Sequence, residues 1–262
     1  MHMIKTHTSS KLFTSEERQA KILLYIKERG TATIGEIAAE FAVSEMTVRR
    51  VLYKLSDLNL IIRTPGGALA NLAGSMERPF LERSGKMSAA KDALGRAAAA
   101  LVQDGETVVL DSGTTTQYVA RHLAARSNLV VVTASLAVLE ELAGSPGIQV
   151  RLTGGVYRRV SHDLCGNAVE EAFENIYADH VFFGAAALSF NKGAMNFDQE
   201  MPRSILRAGK QRVLVIDSSK IGTEAVYRFC PIERCDLVIT DKGAKPADVE
   251  RLRKLTKVII TE

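Results

Sequence analysis

The sequence predicts an α/β protein in two parts: an N-terminal winged helix-turn-helix domain and a larger, mostly parallel α/β domain. Three observations point there. Over residues 15–71, three amphipathic helical patterns run into a strand, a Pro-Gly-Gly turn and a weaker return strand. From Ser88 onward, short β-branched apolar runs alternate with helical patterns, as in a sheet covered on both faces. Gly, Ser and Thr collect just after those runs, where open α/β sheets bind ligands.

The bulk properties agree. A chain of 262 residues suits one large domain, or a small one joined to a medium one. Hydrophobic residues make up 46% of it, which supplies a core and excludes disordered, collagenous and disulfide-scaffold classes. No apolar run approaches the roughly 18–20 residues of a membrane span. The opening "MHMIKTHTSSKLFTSEE" lacks the apolar stretch of a secretory signal. Residues 1–14 read as a flexible arm, and the protein as cytoplasmic with no membrane partner.

Cys165, Cys230 and Cys235 are too few for a disulfide framework and lack the second pair a zinc site needs, so they read as buried thiols. The histidines at 2, 7, 122, 162 and 180 show no ligand spacing. No metal or cofactor is expected. Of the net charge of +4, residues 1–71 carry +3 (10 Lys and Arg, 7 Asp and Glu), a weak hint of an anionic partner there.

The first helical pattern, "SEERQAKILLYIKERG", places Ile22, Leu23 and Ile26 on one side and stops at Gly30. "TIGEIAAEF" sets Ile34, Ile37, Ala38 and Phe41 at helical spacing behind Thr33 as N-cap. "AVS" is a tight connector, and Ser44 caps the third pattern, "EMTVRRVLYKLSDL". There Val48, Val51, Leu52, Leu55 and Leu58 form the apolar stripe. Met46, Arg49, Arg50 and Tyr53 lie opposite, and Ser44, Thr47 and Lys54 are counted with that surface. Arginine forks grip phosphate or the guanine edge, and Met46 suits a thymine methyl. Leu60–Arg63 reads as a strand, Pro65-Gly66-Gly67 as a turn and Ala68–Asn71 as the return. This wing places Arg63, Gly66 and Gly67 near phosphate or minor groove. An Arg-Arg pair is commonly only a solvated face, and three amphipathic helices can form a docking domain. Caps, spacing and wing in this order favour double-stranded operator DNA as the partner.

The stretch "GTATIGEIAAEFAVSEMTVRRVLYKLSDLNLIIRTPGGA" resembles the DNA-binding signature of the DeoR family of bacterial transcription regulators. The likeness rests on Ile37-Ala38, Val43-Ser44, Thr47-Val48-Arg49-Arg50, Leu52, Leu55, Arg63 and Gly66-Gly67-Ala68. The family usually has an acidic residue after the two arginines, where this chain has Val51.

Residues 72–87, "LAGSMERPFLERSGKM", are broken by Gly74, Ser75, Pro79 and Gly85 and read as a linker with a turn of helix. It serves as a hinge or a tether, with Phe80 and Leu81 docked. Residues 88–262 form the second domain. Its expected strands are "TVVLD", "LVVVT", "IQVRLT", "DHVFFGA", "RVLVID", "DLVIT" and "KVIIT". Its expected helices are "AAKDALGRAAAALV", "TTTQYVARHLAAR", "ASLAVLEELAG", "AVEEAFENI", "QEMPRSILRAG" and "PADVERLRKLT".

"DSGTT", "TAS" (133–135), "TGG" (153–155), "GAA" (184–186) and "DSSK" (217–220) fall at successive strand ends. In the first, Gly113 permits a sharp turn and close ligand approach. Thr114–Thr116 open a helix whose first amides lack intrahelical partners and attract an anion. The hydroxyls of Ser112, Thr114 and Thr115 add donors. Asp111 suits a sugar hydroxyl or orients the loop, and Lys220 supplies a positive charge. One such turn is as readily a plain helix cap; four companion strand ends weigh against that.

The resemblance covers roughly residues 15–242. "VQDGETVVLDSGTTT", "VVTAS", "LTGG", "DSSKIG" and "DLVITD" are similar to the effector domain of DeoR-family regulators. It implies a fold similar to ribose-5-phosphate isomerase and coenzyme A transferases, and a phosphorylated sugar or sugar-like effector. The implied pocket is Asp111, Ser112, Gly113, Thr114, Thr115, Thr116, Ser135, Gly154, Gly155 and Lys220. Ala134 replaces a frequent Asn, and Pro202 interrupts a helix of the family pattern.

A sugar-phosphate isomerase-like enzyme with an accessory DNA-binding domain is the alternative. It would need a base such as Asp111, Asp179, Asp217, Glu200 or Lys220 aimed at a carbon acid. None of these lies in a segment resembling the isomerase's catalytic ones. The sequence therefore points to a repressor of a carbohydrate operon, without catalytic residues, acting as a homo-oligomer (dimer or tetramer) and relieved by its effector.

Overall fold

The computed structural model describes residues 15–57, 60–70, 79–197 and 202–262. The expected arm (1–14), Leu58, Asn71, the start of the linker (72–78) and residues 198–201, with the candidate base Glu200, lie outside the described residues. The chain falls into two compact units that divide after Met76.

In the first unit, α1 (Ser15–Arg29) buries Ile22 and Ile26. It stops at Gly30, whose φ of 75° suits a residue without Cβ. A strand the sequence did not signal, β1 (Thr31–Thr33), follows. Three residues, with only Ala32 turned inward, give too little periodicity to detect. α2 (Ile34–Glu40) begins with a full capping box: Thr33 Oγ1 accepts from the Glu36 amide at 3.2 Å, and the Glu36 carboxylate accepts from the Thr33 amide at 2.7 Å. Those bonds hold the Glu36 carboxyl below its usual range. Ser44 caps α3 (Glu45–Asp57), its hydroxyl accepting from the Thr47 amide at 3.2 Å. Val48, Val51, Leu52 and Leu55 close on Ile22, Ile26 and Ile37 in one core. The wing is β2 (Ile61–Thr64) and β3 (Gly67–Ala70). β3 also pairs antiparallel with β1, giving the order β1-β3-β2. The turn is thus Pro65-Gly66, and Gly67 belongs to a strand.

The second unit opens with α4 (Phe80–Ser84) and α5 (Ser88–Ala99). Then follow β4 (Thr107–Leu110), α6 (Thr114–Leu123), β5 (Leu129–Thr133), α7 (Leu136–Leu142) and β6 (Ile148–Leu152). Next come β7 (Val156–Arg158), β8 (Asp163–Cys165), α8 (Asn167–Glu174), β9 (Ala178–Phe183), β10 (Ala187–Ser189) and β11 (Gly193–Asn196). The chain continues through β12 (Gly209–Val215), β13 (Tyr227–Cys230), β14 (Leu237–Asp241), α9 (Pro246–Arg253) and β15 (Lys257–Thr261). Seven strands form one wholly parallel sheet, in the order β15-β14-β12-β9-β4-β5-β6.

The period of two sorts its residues between two cores. Val108, Leu110, Phe182, Val213 and Val215 face Leu94, Val119, Leu123, Val138 and Leu142 of α5, α6 and α7. Val109, Val181, Phe183, Leu214 and Val238 face Val169, Phe173 and Leu252 of α8 and α9. This is why the strands read as unbroken apolar runs.

Three expectations for this unit change. Residues 79–87 are not free linker: Phe80 is buried and its amide bonds the Val160 carbonyl at 2.8 Å, whereas Leu81, expected to dock, stands out in solvent. The segment expected as a helix around "EMPRS" forms a 3-10 turn over Arg203–Arg207 behind Pro202. Glu170 of α8 pins that turn through the amides of Arg203 and Ser204 at 2.9 and 3.0 Å. The hairpin β7–β8 and the antiparallel sheet β10-β11-β13 are additions, built from strands of three or four residues.

Candidate DNA-reading and anion-sensing sites

The outer face of α3 follows from its apolar stripe. With Val48, Val51, Leu52 and Leu55 inward, Met46 is left 74% exposed and Tyr53 53% exposed, with Arg49, Arg50 and Lys54 in solvent beside them. Arg49 meets Glu45 one turn back at 3.3 Å. Such an open pair contributes only about 0.3–0.5 kcal/mol, so a phosphate or base edge displaces it readily. Arg50 has no carboxylate partner among the described residues. The Arg63 guanidinium of β2 lies 3.5 Å from the centre of the Tyr53 ring, joining wing to recognition helix by a cation–π contact.

The cap residues Ser44 and Thr47 share a hydroxyl contact at 3.0 Å. Gly66 stands open at the wing turn, with space where a Cβ would go, and its carbonyl accepts from the Ile34 amide at 2.9 Å. Gly67 departs from expectation. It is buried, and a Cβ there would run into the Ala32 carbonyl of β1. Its role is close approach of two strands, not contact with a ligand.

The second site lies at the carboxyl ends of the parallel strands. After β4 the chain turns through Asp111, Ser112 and Gly113 into α6. Among the described residues no carbonyl or side chain accepts from the amides of Gly113, Thr114 or Thr115; the Gly113 carbonyl accepts from Gln117 at 3.1 Å. Together with the helix dipole they form an anion-attracting nest.

Asp111 is buried, and its carboxylate accepts from the amides of Ser112 and, at 3.3 Å, Gly184. Burial pushes its pKa up to about 8, against those two bonds; nearby Asp163 adds to the rise and Arg158 opposes it. Its carbonyl accepts from the Thr116 hydroxyl at 2.7 Å, and that hydroxyl also reaches the Gly113 carbonyl at 2.9 Å. Asp111 and Thr116 therefore shape the turn from within. Thr116, expected in the pocket, is fully buried and its hydroxyl is already used.

The other strand ends divide the same way. Ser135 is buried and caps α7, its hydroxyl accepting from the Val138 amide at 3.3 Å. Gly154 has φ 79° and open space around it. Gly155 has φ 122°, and a Cβ there would meet the Cys165 carbonyl, so it serves the hairpin. Lys220 ends a 3-10 turn opened by Asp217, with Nζ 3.4 Å from its carboxylate. Burial lowers the Lys220 pKa, against the pull of Asp217.

Sequence reasoning missed two contributors. The β7–β8 hairpin seats Asp163 beside Ser135, and Arg158 grips Asp163 with two bonds of 2.9 and 2.6 Å. Lys91 of α5 is buried and donates to the Arg83 carbonyl at 2.5 Å. Burial first, then the Lys220 charge, lowers its pKa to about 8. A lysine on the inner face of a helix pattern was the one available signal for it.

Comparison with known proteins is consistent along the chain. Residues 18–72 match the family described as DeoR-like helix-turn-helix domain, and residues 86–242 that described as DeoR C terminal sensor domain. The chain is 31% identical over 250 residues to the HTH-type transcriptional repressor GlcR of Bacillus subtilis, covering 94% of this chain and 96% of that one. It is 30% identical over 243 residues to the glycerol-3-phosphate regulon repressor of Escherichia coli, covering 92% and 95%. It is 28% identical over 245 residues to a putative aga operon transcriptional repressor of Escherichia coli O157:H7, covering 92% and 91%. A ribose 5-phosphate isomerase A from Methanocaldococcus jannaschii aligns over 50% of this chain and 53% of its own, at 15% identity and a TM-score of 0.36; no activity carries over from so distant a likeness. With a DNA-binding domain and a sensor domain matched in order, the chain belongs to the DeoR family of transcription regulators.

Proposed function

We propose that this protein represses a carbohydrate-utilisation operon and is released from its operator by a phosphorylated sugar or sugar-like metabolite. The carrying observation is the row of unpartnered amides at Gly113–Thr115, opening α6 beside the buried Asp111, whose carboxyl already accepts from the amides of Ser112 and Gly184 and which burial disfavours as an anion. The phosphate sits on that nest. The hydroxyls of Ser112, Thr114 and Thr115 and the Lys220 ammonium are the further donors, and Gly154 leaves room for the sugar. At the other end, Arg49, Arg50 and Met46 read base edges and phosphate, with Arg63, Lys54, Ser44 and Thr47 contacting the backbone. A homo-oligomer, dimer or tetramer, would present paired recognition helices to repeated half-sites. One relative is named for a glycerol-3-phosphate regulon, in keeping with a small phosphorylated polyol as the kind of effector.

The test has two arms. Replacing Arg49 and Arg50 by alanine should abolish operator binding in a mobility shift while the melting temperature holds; retained binding refutes the DNA assignment. A thermal-shift screen of phosphorylated sugars should find a stabilising ligand whose effect Lys220→Ala weakens by about tenfold or more in Kd. Turnover of a pentose or hexose phosphate, lost in Asp111→Asn, would instead favour an enzyme.

A further inference from the structure

The second unit carries 24 Lys and Arg against 23 Asp and Glu, so it is close to neutral. Its cations are nevertheless not spread evenly. A cavity of about 460 Å³ is lined by Lys192, Arg203, Arg207, Arg212, Arg228 and Arg234, and among the described residues no carboxylate stands in its wall. That volume lies within the roughly 300–1,000 Å³ of small-molecule sites.

The cavity is not the strand-tip site. Arg212 stands at the middle of β12 and bonds Asp236, just ahead of the first β12–β14 pair, Val213 with Leu237, whereas Asp217–Lys220 follow the carboxyl end of β12. Five steps of extended chain, about 16 Å, separate Arg212 from Asp217.

Neighbouring acids neutralise only part of the charge. Arg212 is held by Asp236 at 2.8 and 3.0 Å, Arg207 by Glu174 at 3.2 Å and Lys192 by Glu224 at 2.6 Å. The last two pairs are about half open to solvent and yield readily to a competing anion. Arg203, Arg228 and Arg234 have no carboxylate partner among the described residues. Arg228 is steadied by donating its Nε–H to the Lys192 carbonyl at 3.2 Å. Converging guanidinium forks match phosphate oxygens, and a concave wall of one sign concentrates the field. Phe229 and Leu206 add an apolar side to the cavity.

We infer that this cavity is a second ligand site of the sensor domain, taking a small metabolite with two or more phosphate groups against an apolar moiety. It does not depend on the strand-tip site: either can fail without the other.

Pyrophosphate is the probe, titrated calorimetrically into the full chain at low and at high salt. The wild type should bind it in a salt-sensitive manner. Arg228→Ser with Arg234→Ser should weaken that binding by about tenfold or more, with an unchanged melting temperature. Arg228→Lys with Arg234→Lys, which keeps charge but loses the fork, should fall between. Lys220→Ala should leave the cavity's binding intact. The inference is overturned if pyrophosphate fails to saturate at millimolar concentration, or if its binding is lost in Lys220→Ala and kept in the arginine variant. It is equally overturned if the serine variant changes the oligomeric state or non-specific DNA binding while pyrophosphate binding persists, for the face would then contact a macromolecule.

Discussion

At the scale of single residues, the proposed effector site carries a buried carboxyl whose proton is held tightly. Asp111 holds its carboxyl in the interior, where burial raises its pKa to about 8. In the unfolded chain it titrates as an ordinary carboxyl near 3.8. Between these values the folded state keeps a proton that the unfolded state has released. Its contribution is therefore fully present at acid pH and is lost as pH rises through about 8. Denaturant titrations across that window should show stability falling by up to ~1.4 kcal/mol per pH unit from this group. Asp111→Asn, which stays neutral, should remove that component of the slope. The same proton affects ligand binding, since an ionised Asp111 would sit beside the anion on the Gly113–Thr115 amides. Lys91, drawn down to about 8 by burial and by Lys220, acts in the same direction. Anion binding near pH 8 should therefore take up protons, measurable as a dependence of the binding heat on buffer ionisation. A heat independent of buffer would show that neither group faces the bound anion.

At the scale of elements, two adjacent glycines separate what was legible from what was not. "PGG" marked the wing correctly, but only the β1 pairing tells Gly66 from Gly67. Gly66→Ala adds a methyl to open space and should leave the unfolding midpoint nearly unchanged. Gly67→Ala drives a Cβ into the Ala32 carbonyl and should cost ~1–3 kcal/mol, seen as a lowered unfolding transition of the first unit in calorimetry together with weaker operator binding. The helices and the parallel strands were readable because each carries a strong local pattern: a 3.6-residue stripe in α3, unbroken apolar runs in β4 and β5. Thr33 and Ser44 were readable as caps because capping is local chemistry. The strands β1, β7, β8, β10, β11 and β13 were not, because three or four residues paired across distant segments have no local signature. The site suffered the same limit. The turn 111–116 was visible as a motif, but which hydroxyls were already used depended on partners: Thr116 on its own loop carbonyls, Ser135 on α7. Lys91 and the Arg158–Asp163 pair reach the site from elements that carry no motif.

At the scale of the whole molecule, the two sites belong to one binding equilibrium. If the effector lowers operator affinity, it must bind the DNA-free protein more tightly than the DNA-bound one, and by the same factor. A coupling of about 1–3 kcal/mol corresponds to roughly 5–150-fold, and it is reciprocal whatever structural route carries it. Operator affinity measured with and without saturating sugar phosphate gives the factor one way. Effector affinity measured with and without saturating operator duplex gives it the other way, and the two should agree. Because operator binding releases counterions while effector binding rests on a few local donors, both arms must share one salt concentration. Lys220→Ala should shift the effector concentration needed for release while leaving the effector-free operator affinity alone. Arg49→Ala with Arg50→Ala should remove the operator and leave effector affinity at its DNA-free value. A mismatch between the two factors would mean that the two arms follow different species, such as different oligomers, and two factors that agree at one would leave the strand-tip site as a binding site without a regulatory output.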